Sequence, residues 1–531
     1  MKTKSILTLI LCAFMSLAMI AGCTQTGTQS TATPPAATQK ATDPPEQTEA
    51  PEPSEESLPA VPFEEKFEFD ILQGTHPHGT EQNRVRELIQ EKTNTKINWT
   101  IVAATGWAEK ANVTLVSGVL PDLVYFYSGT AVPGEWISQK AVIELSDLLD
   151  KAPNIQRWLT DDVMLWMRNP DGNIYQLNMV NEFSYNLSNQ IRVDWLEKLN
   201  LEMPNTLDEW LNVLRAFRDG DPDGNGTADT IPWVYNFTAW FDAFGINNGE
   251  FVDVDGHLIP RYLHPNYKDA VELLASMYQE KLIDPEFVVR NKDVMQAKEL
   301  LLASKAGAWQ NSGSTASSYT SILRETNPDA TFGYAPLIEG PGGQNVQGRN
   351  PVGACGAITV QAEEPEKLMA YWNWIYGDEG LTIMNYGEEG VHYELKDGKP
   401  VFLAPYYESF EINRNAGMAE TWVPYVWLED AFMQVTLGGN TPDTLTELDT
   451  HTYECYFKPA EYAYFAIPAV LLDTEEYRKL ATDTLKPLKD MEEQVIAGNA
   501  TWADMEELMA EVKDDLDAIT ASVDANYQNV K

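Results

Sequence analysis

An α/β fold of two or more lobes is what this sequence predicts, and three observations predict it. The 531 residues, 44% hydrophobic and 11% aromatic, supply a sizeable core but exceed what one compact unit buries. From residue 66 onward, segments of strand and helix pattern alternate, as they do where helices cover a largely parallel sheet. From about residue 471 two amphipathic patterns close the chain as helices.

The elements follow in order. Lys2 and Lys4 precede ILTLILCAFMSLAMIAG, an apolar run too short for a stable span but built like a secretory leader. It ends in IAGC, which resembles the bacterial lipobox, where a signal peptidase cuts before the cysteine and the thiol receives a diacylglycerol. Residues 1–22 are therefore expected to be a leader and Cys23 the lipidated first residue; an ordinary A-x-A site is the alternative. No other run of about 20 apolar residues occurs, so lipid would be the only membrane anchor. Residues 23–62, rich in Pro, Thr and Glu, cannot bury enough surface to offset the entropy of ordering and read as a disordered stalk.

Order begins with KFEFDILQG (66–74), an alternating strand. GTEQNRVRELIQEKTN follows as a helix with Val85, Leu88 and Ile89 on one stripe. KINWTIV is a strand, WAEKANVTLVSGV a helix, and LPDLVYFYSG a turn into a buried strand. Further along, DEWLNVLRAFRD is helical, KAGAWQNSG runs from strand into polar loop, and GACGAITVQ is a strand. EEPEKLMAYWNWIYGDEG is a helix with Pro in its first turn and Gly beyond its end. No internal repeat is visible.

Charge narrows the partners. With 37 basic against 80 acidic residues the formal net charge is −43, so phosphate backbones and anionic bilayers repel the chain, and nucleic acid is excluded as a partner. Beyond Cys12 and Cys23, only Cys355 and Cys455 remain. Two isolated thiols make no disulfide framework; buried, inert thiols are expected, with a single bridge as the alternative.

One acidic stretch asks for a cation. In DPDGNGTADT (221–230), Asp221, Asp223, Asn225, Thr227 and Asp229 take positions 1, 3, 5, 7 and 9 of an EF-hand-type loop, with Gly226 at the sharp turn. Alternate oxygens wrapping one Ca²⁺ would turn mutual repulsion into attraction. Position 12 is Pro232, so the usual bidentate glutamate is missing and the remaining oxygens must come from elsewhere. The expected role is structural. A merely flexible Gly-Asp-Asn turn is the alternative.

Catalytic signatures are thin. H-E-x-x-H, G-x-S-x-G and a P-loop are all missing from the sequence, and His76 and His78 lack a partner cluster. Aromatic residues do recur beside polar loops: Trp107, Tyr127 with Ser128, Trp240, Trp309 and Trp422. Most aromatics are core. A ring at the carboxyl end of a strand, followed by Asn, Ser or Gly, often faces a ligand, and flat rings suit sugar faces.

DWLEKLNLEMPNTLDEWLNVLRAFRDGDPDGNGTADTIP (194–232), with LVSGVLPDLVYF, NPDGNIYQLN, KAGAW, YGDEGLTIMNYGEEGVHYEL and DGKPVF, resembles the LplA-type lipoproteins of the extracellular solute-binding protein family 1. The order of elements is also similar, more distantly, to maltose- and alginate-oligosaccharide-binding proteins. The resemblance implies a two-lobed, periplasmic-binding-protein-like (type II) fold with a hinge and an interlobe cleft. Residues 63–185 and 336–392 would form the first lobe; 186–335 and 393–531 would form the second, with the calcium loop. It places Tyr127, Ser128, Glu182, Tyr185, Trp240, Trp309 and Asn311 at the cleft, with Arg349 and Trp422 as further contacts. A permease pair and its ATPase would accept an oligosaccharide from the chain, which is expected to act as a monomer on the outer face of a Gram-positive cell membrane. The rival is a secreted calcium-dependent polysaccharide-degrading enzyme, and a third reading is a non-transport sensor of sugar or peptide.

Overall fold

The computed structural model describes residues 57–75, 83–126, 131–182, 187–246, 249–290, 294–347, 350–408, 412, 424–439, 445–464 and 466–531. The leader, Cys23, most of the stalk, His76, His78, Tyr127, Ser128, Tyr185, Arg349 and Trp422 lie outside the described residues.

Two sheets, each with its own core, make two lobes. The first has six strands, ordered Val426–Trp427, Leu177–Asn181, Val352–Ile358, Leu123–Phe126, Phe67–Thr75 and Thr95–Ala103. Phe67–Thr75 pairs in parallel with Thr95–Ala103 and with Leu123–Phe126, while Val352–Ile358 lies antiparallel between Leu123–Phe126 and Leu177–Asn181. Helices cover both faces, so Leu123–Phe126 is buried along its whole length and reads as a continuous apolar run rather than an alternation. Phe69, Ile71, Val85, Ile89 and Trp372 fill one face; Leu72, Trp107, Leu115, Phe126 and Trp136 fill the other. The helix Arg84–Thr93 begins at Asn83, whose Oδ1 accepts from Arg86 N at 2.8 Å, and stops at Asn94 in the left-handed region.

The second sheet is ordered Phe332–Ala335, Leu187–Arg192, Ala306–Ser312 and Ile231–Trp233. Leu187–Arg192 is antiparallel to both neighbours, and Ile231–Trp233 is parallel to Ala306–Ser312. The helix Leu207–Asp219 opens with a capping box between Thr206 and Glu209 and buries Trp210, Leu211, Val213, Leu214 and Phe217. Its burial spacing is the amphipathic period that DEWLNVLRAFRD displays.

The expected lobe boundaries need correction. Val426–Trp427 is an edge strand of the first sheet, and Phe402, Tyr425, Ala431, Phe432 and Val435 pack in the first core. The first lobe's chain therefore runs well beyond residue 392. At the other junction Ile338 still packs in the second core, and the first sheet resumes only at Val352. The helix Glu447–Phe457 belongs to neither alone, because Tyr456 joins the first core while Cys455 is buried in the second lobe.

The closing helices Glu475–Ile496, Trp502–Glu511 and Lys513–Val530 pack on the second lobe. Glu492 forms a buried ion pair with Arg261 and accepts from Tyr267 Oη at 2.7 Å. Nearby, Tyr477 Oη donates to Glu250, yet burial outweighs that bond and pushes the Glu250 carboxyl from 4.5 up to about 7. A carboxyl raised on folding contributes stability that is full below its unfolded value and lost as pH rises through about 7. For a shift of this size the difference is about 3 kcal/mol. Chemical denaturation at pH 5 and pH 8 should therefore show Glu250→Gln less pH-dependent than the parent by roughly that amount. Parallel profiles for the two proteins would refute the assignment.

Candidate ligand cleft between the lobes

The strand Leu177–Asn181 of the first sheet passes into Leu187–Arg192 of the second across residues 182–186. Strands this deeply buried should be apolar, yet Asn178, Ser188, Asn189 and Gln190 are 0% exposed. Burial without a partner would cost each amide about 1–3 kcal/mol, and most of these groups are spent on stapling the segments that join the lobes. Asn178 Nδ2 donates to Gly353 O at 3.0 Å and Asn181 Nδ2 to Asn350 O at 2.6 Å. Asn189 Nδ2 donates to Pro336 O at 3.2 Å, and Gln190 Nε2 to Ser312 O at 2.9 Å.

A second polar node lies where two further connecting segments meet. Val346–Gln347 pairs in parallel with Ala463–Tyr464, and Tyr464 Oη donates to Asp242 Oδ1 at 3.0 Å. Asn345 Nδ2 donates to Asp242 O at 3.3 Å. The approach is close enough to require glycine: a Cβ on Gly342 would sit 1.8 Å from Gly245 N. Burial pushes the Asp242 carboxyl well above its ordinary range, against hydrogen bonds from Tyr464 and Gln310. Asp242 Oδ2 and Gln310 Oε1 are buried with no hydrogen-bond partner among the described residues. Two buried oxygens that lack donors suit a ligand bearing hydroxyls.

Of the residues singled out in sequence, Glu182 and Asn311 keep some access to solvent. Glu182 Oε2 accepts from Glu429 N at 2.9 Å, and burial, followed by the charges of Glu182 and Asp430, raises the Glu429 carboxyl. Asn311 lies on Ala306–Ser312, where its carbonyl accepts from Gln190 Nε2 at 3.3 Å. The three tryptophans are placed differently from the expectation. Trp240 and Trp309 are 0% exposed and Trp107 is 6% exposed. Trp240 sits on the short helix Thr238–Asp242, not at a strand end, edge-on to Trp233 at 5.2 Å and Trp210 at 6.4 Å. Trp309 stacks on Tyr319 at 5.2 Å and donates Nε1 to Gln190 Oε1 at 3.1 Å. Trp107 packs edge-on to Phe126 in the first lobe. Their ring faces meet protein, so in this structure none is an open stacking platform. For Trp309 the strand Ala306–Ser312 is buried through Gln310 and gives the ring no solvent side, while Trp107 and Trp240 lie on the buried faces of helices.

The 221–229 loop has the turn expected of it. Asp221 Oδ2 accepts from Gly226 N at 3.0 Å, and Asn225 Oδ1 accepts from Thr227 N at 2.6 Å. Asn225 Nδ2 lies between Asp223 Oδ2 (2.6 Å) and Asp229 Oδ1 (2.9 Å), so an amide occupies the space between two of the carboxylates. Among the described residues no group of three or more His, Cys, Asp or Glu gathers as a metal cluster. One feature fits a cation nonetheless, since Asp221 Oδ1 is buried without a hydrogen-bond partner among the described residues.

Comparison with known proteins now decides the family. The model for bacterial extracellular solute-binding proteins matches residues 77–382. The chain belongs to that family.

As a family member it is 28% identical over 338 residues to lipoprotein LipO of Bacillus subtilis (strain 168), covering 59% of this chain and 64% of LipO. It is 32% identical over 250 residues to the fructooligosaccharide ABC transporter substrate-binding protein FusA of Streptococcus pneumoniae serotype 4, covering 42% of this chain and 46% of FusA. The matches thus span less than two thirds of either relative. The fold is shared with the alginate-binding protein AlgQ2 solved without calcium ion (TM-score 0.63, 21% identity, 88% of this chain and 99% of that one). It is shared too with FusA in complex with kestose (TM-score 0.61, 23% identity, 87% and 99%); an EF-hand mutant of FusA has also been solved. This solute-binding protein carries its polar crossing in two stretches, LNMVN and LSNQIR. Amides within buried strands are the signal of this crossing in the sequence, and aromatic rings beside polar loops are not. Among the described residues, no helix is long and apolar enough to cross a membrane.

Proposed function

We propose that this solute-binding protein captures a carbohydrate, an oligosaccharide, between its lobes and delivers it to an ABC importer, itself catalysing nothing. The observation that carries the reading is the polar node at the lobe junction, where Asp242 Oδ2 and Gln310 Oε1 are buried with no hydrogen-bond partner among the described residues. Such groups match sugar hydroxyls. The sugar-binding relatives support the choice of ligand class. Binding would draw the lobes together because both contact the sugar only when closed. Glu182 and Asn311, with Tyr127, Ser128, Tyr185, Arg349 and Trp422, are the proposed contacts; Cys23 is the proposed lipid anchor on the outer face of the membrane. The test is a thermal-shift panel of fructo-oligosaccharides, alginate and galacturonan fragments. A true ligand at a hundred times its Kd should add about 2.7 kcal/mol. A panel that never shifts the melt would remove the carbohydrate reading, and new reducing ends would replace it with the hydrolase.

We also propose one structural Ca²⁺ in the 221–229 loop, held by the side chains of Asp221, Asp223, Asn225 and Asp229 and the carbonyl of Thr227. The ion would neutralise carboxylates that otherwise repel, which stabilises the folded loop. Excess chelator should lower the melting temperature of the parent and leave Asp223→Ala unmoved. A parent melt that ignores both chelator and added calcium would argue for an empty turn.

A further inference from the structure

The loop's carboxylates are answered by a lysine from far along the chain. Lys305 Nζ lies 2.7 Å from Asp229 Oδ2, while Asp229 Oδ1 takes the Asn225 amide. Both oxygens of the position-nine ligand are therefore engaged by protein. The lysine's backbone is fixed, since its carbonyl accepts from Ile231 N at 2.8 Å just before the strand Ala306–Ser312 begins. A second lysine behaves differently. Lys198 Nζ bonds main-chain carbonyls, Pro222 O at 2.8 Å and Asp221 O at 3.3 Å.

We propose that Lys305 sets the cation affinity of this loop, its ammonium competing with Ca²⁺ for Asp229 and so keeping the site weak. The inference rests on the calcium reading above. Its physical basis is Coulombic: an ammonium on a ligand's own carboxylate repels an incoming dication, and in well-screened surroundings that repulsion is worth about tenfold in Kd. The same ion pair steadies the loop when calcium is scarce. Because the pair also clamps the loop to the base of the strand bearing Gln310 and Asn311, the lysine holds that base in place whether or not the ion is bound.

The test is calorimetric titration of CaCl₂ into chelator-stripped full chain, for the parent, Lys305→Met and Lys305→Arg, with melts in chelator alongside. Met keeps the aliphatic stem and Arg keeps the charge; with the side chain 46% exposed, both should fold. Lys305→Met should bind Ca²⁺ about tenfold more tightly yet melt lower in chelator, and Lys305→Arg should match the parent. Calcium heat from Lys305→Met alone would support the proposal too, as a site masked by its lysine. Equal or weaker binding by Lys305→Met would overturn it, as would Lys305→Arg binding as tightly as Lys305→Met. An Asp229→Asn background provides a second check, because there the effect of Lys305→Met should shrink. If none of the proteins takes up calcium, the calcium reading fails and this proposal with it.

Discussion

Glu492→Ala should cost about 3–5 kcal/mol of folding stability, measured by denaturant unfolding followed through tryptophan fluorescence. Both partners of the Arg261–Glu492 pair are nearly sealed, their side chains 9% and 10% exposed. Removing the carboxylate leaves a guanidinium that cannot deprotonate, facing the Phe241 ring at 4.1 Å and the Tyr267 ring at 5.2 Å. Aromatic faces attract a cation, by about 2 kcal/mol when desolvated, which is less than the stranded charge costs. The pair is therefore better removed whole. The double replacement Arg261→Met with Glu492→Leu should recover most of the loss, since a buried ion pair and a packed apolar pair are often close in energy. A loss below about 1 kcal/mol for Glu492→Ala would mean that water reaches the site and the pair is not truly buried.

Trp240→Ala has the second largest expected effect, about 3–5 kcal/mol of stability whether or not ligand is present. The ring fills the space between Trp210 and Trp233 with no exposed surface, so its loss opens a cavity at the centre of the second core. The opposite pattern, a normal melt with affinity reduced some thirtyfold, is what a stacking platform would give. Equilibrium unfolding and a glycan titration on the same variant separate the two.

What could be read from the sequence was local. Val85, Leu88 and Ile89 share one stripe and lie in one core. The helix expected in DEWLNVLRAFRD forms in the same way, over Leu207–Asp219. Such features depend on neighbours a few residues apart, where chain geometry leaves little choice. The edge strand Val426–Trp427 is only two residues long and owes its existence to Val180 and Asn181, far away in the sequence. No periodicity marks it, and the expected boundary at 392 failed there. The candidate sites show the same division. Spacing alone exposed the 221–229 loop, but Lys305 enters it from 76 residues away. Asp242 meets Tyr464 across 222.

The two cysteines have a practical meaning. Cys355 lies in the first lobe's core and Cys455 in the second lobe's, each at 0% exposure, and both are free. Burial raises both thiols, Cys455 to about 12, which leaves almost no thiolate to react near neutral pH. Thiol-directed dyes should therefore ignore the native pair under folding conditions. With Cys23 replaced, an engineered cysteine on the surface of each lobe could then carry a donor and an acceptor free of signal from Cys355 and Cys455, an optical test of the proposed closure.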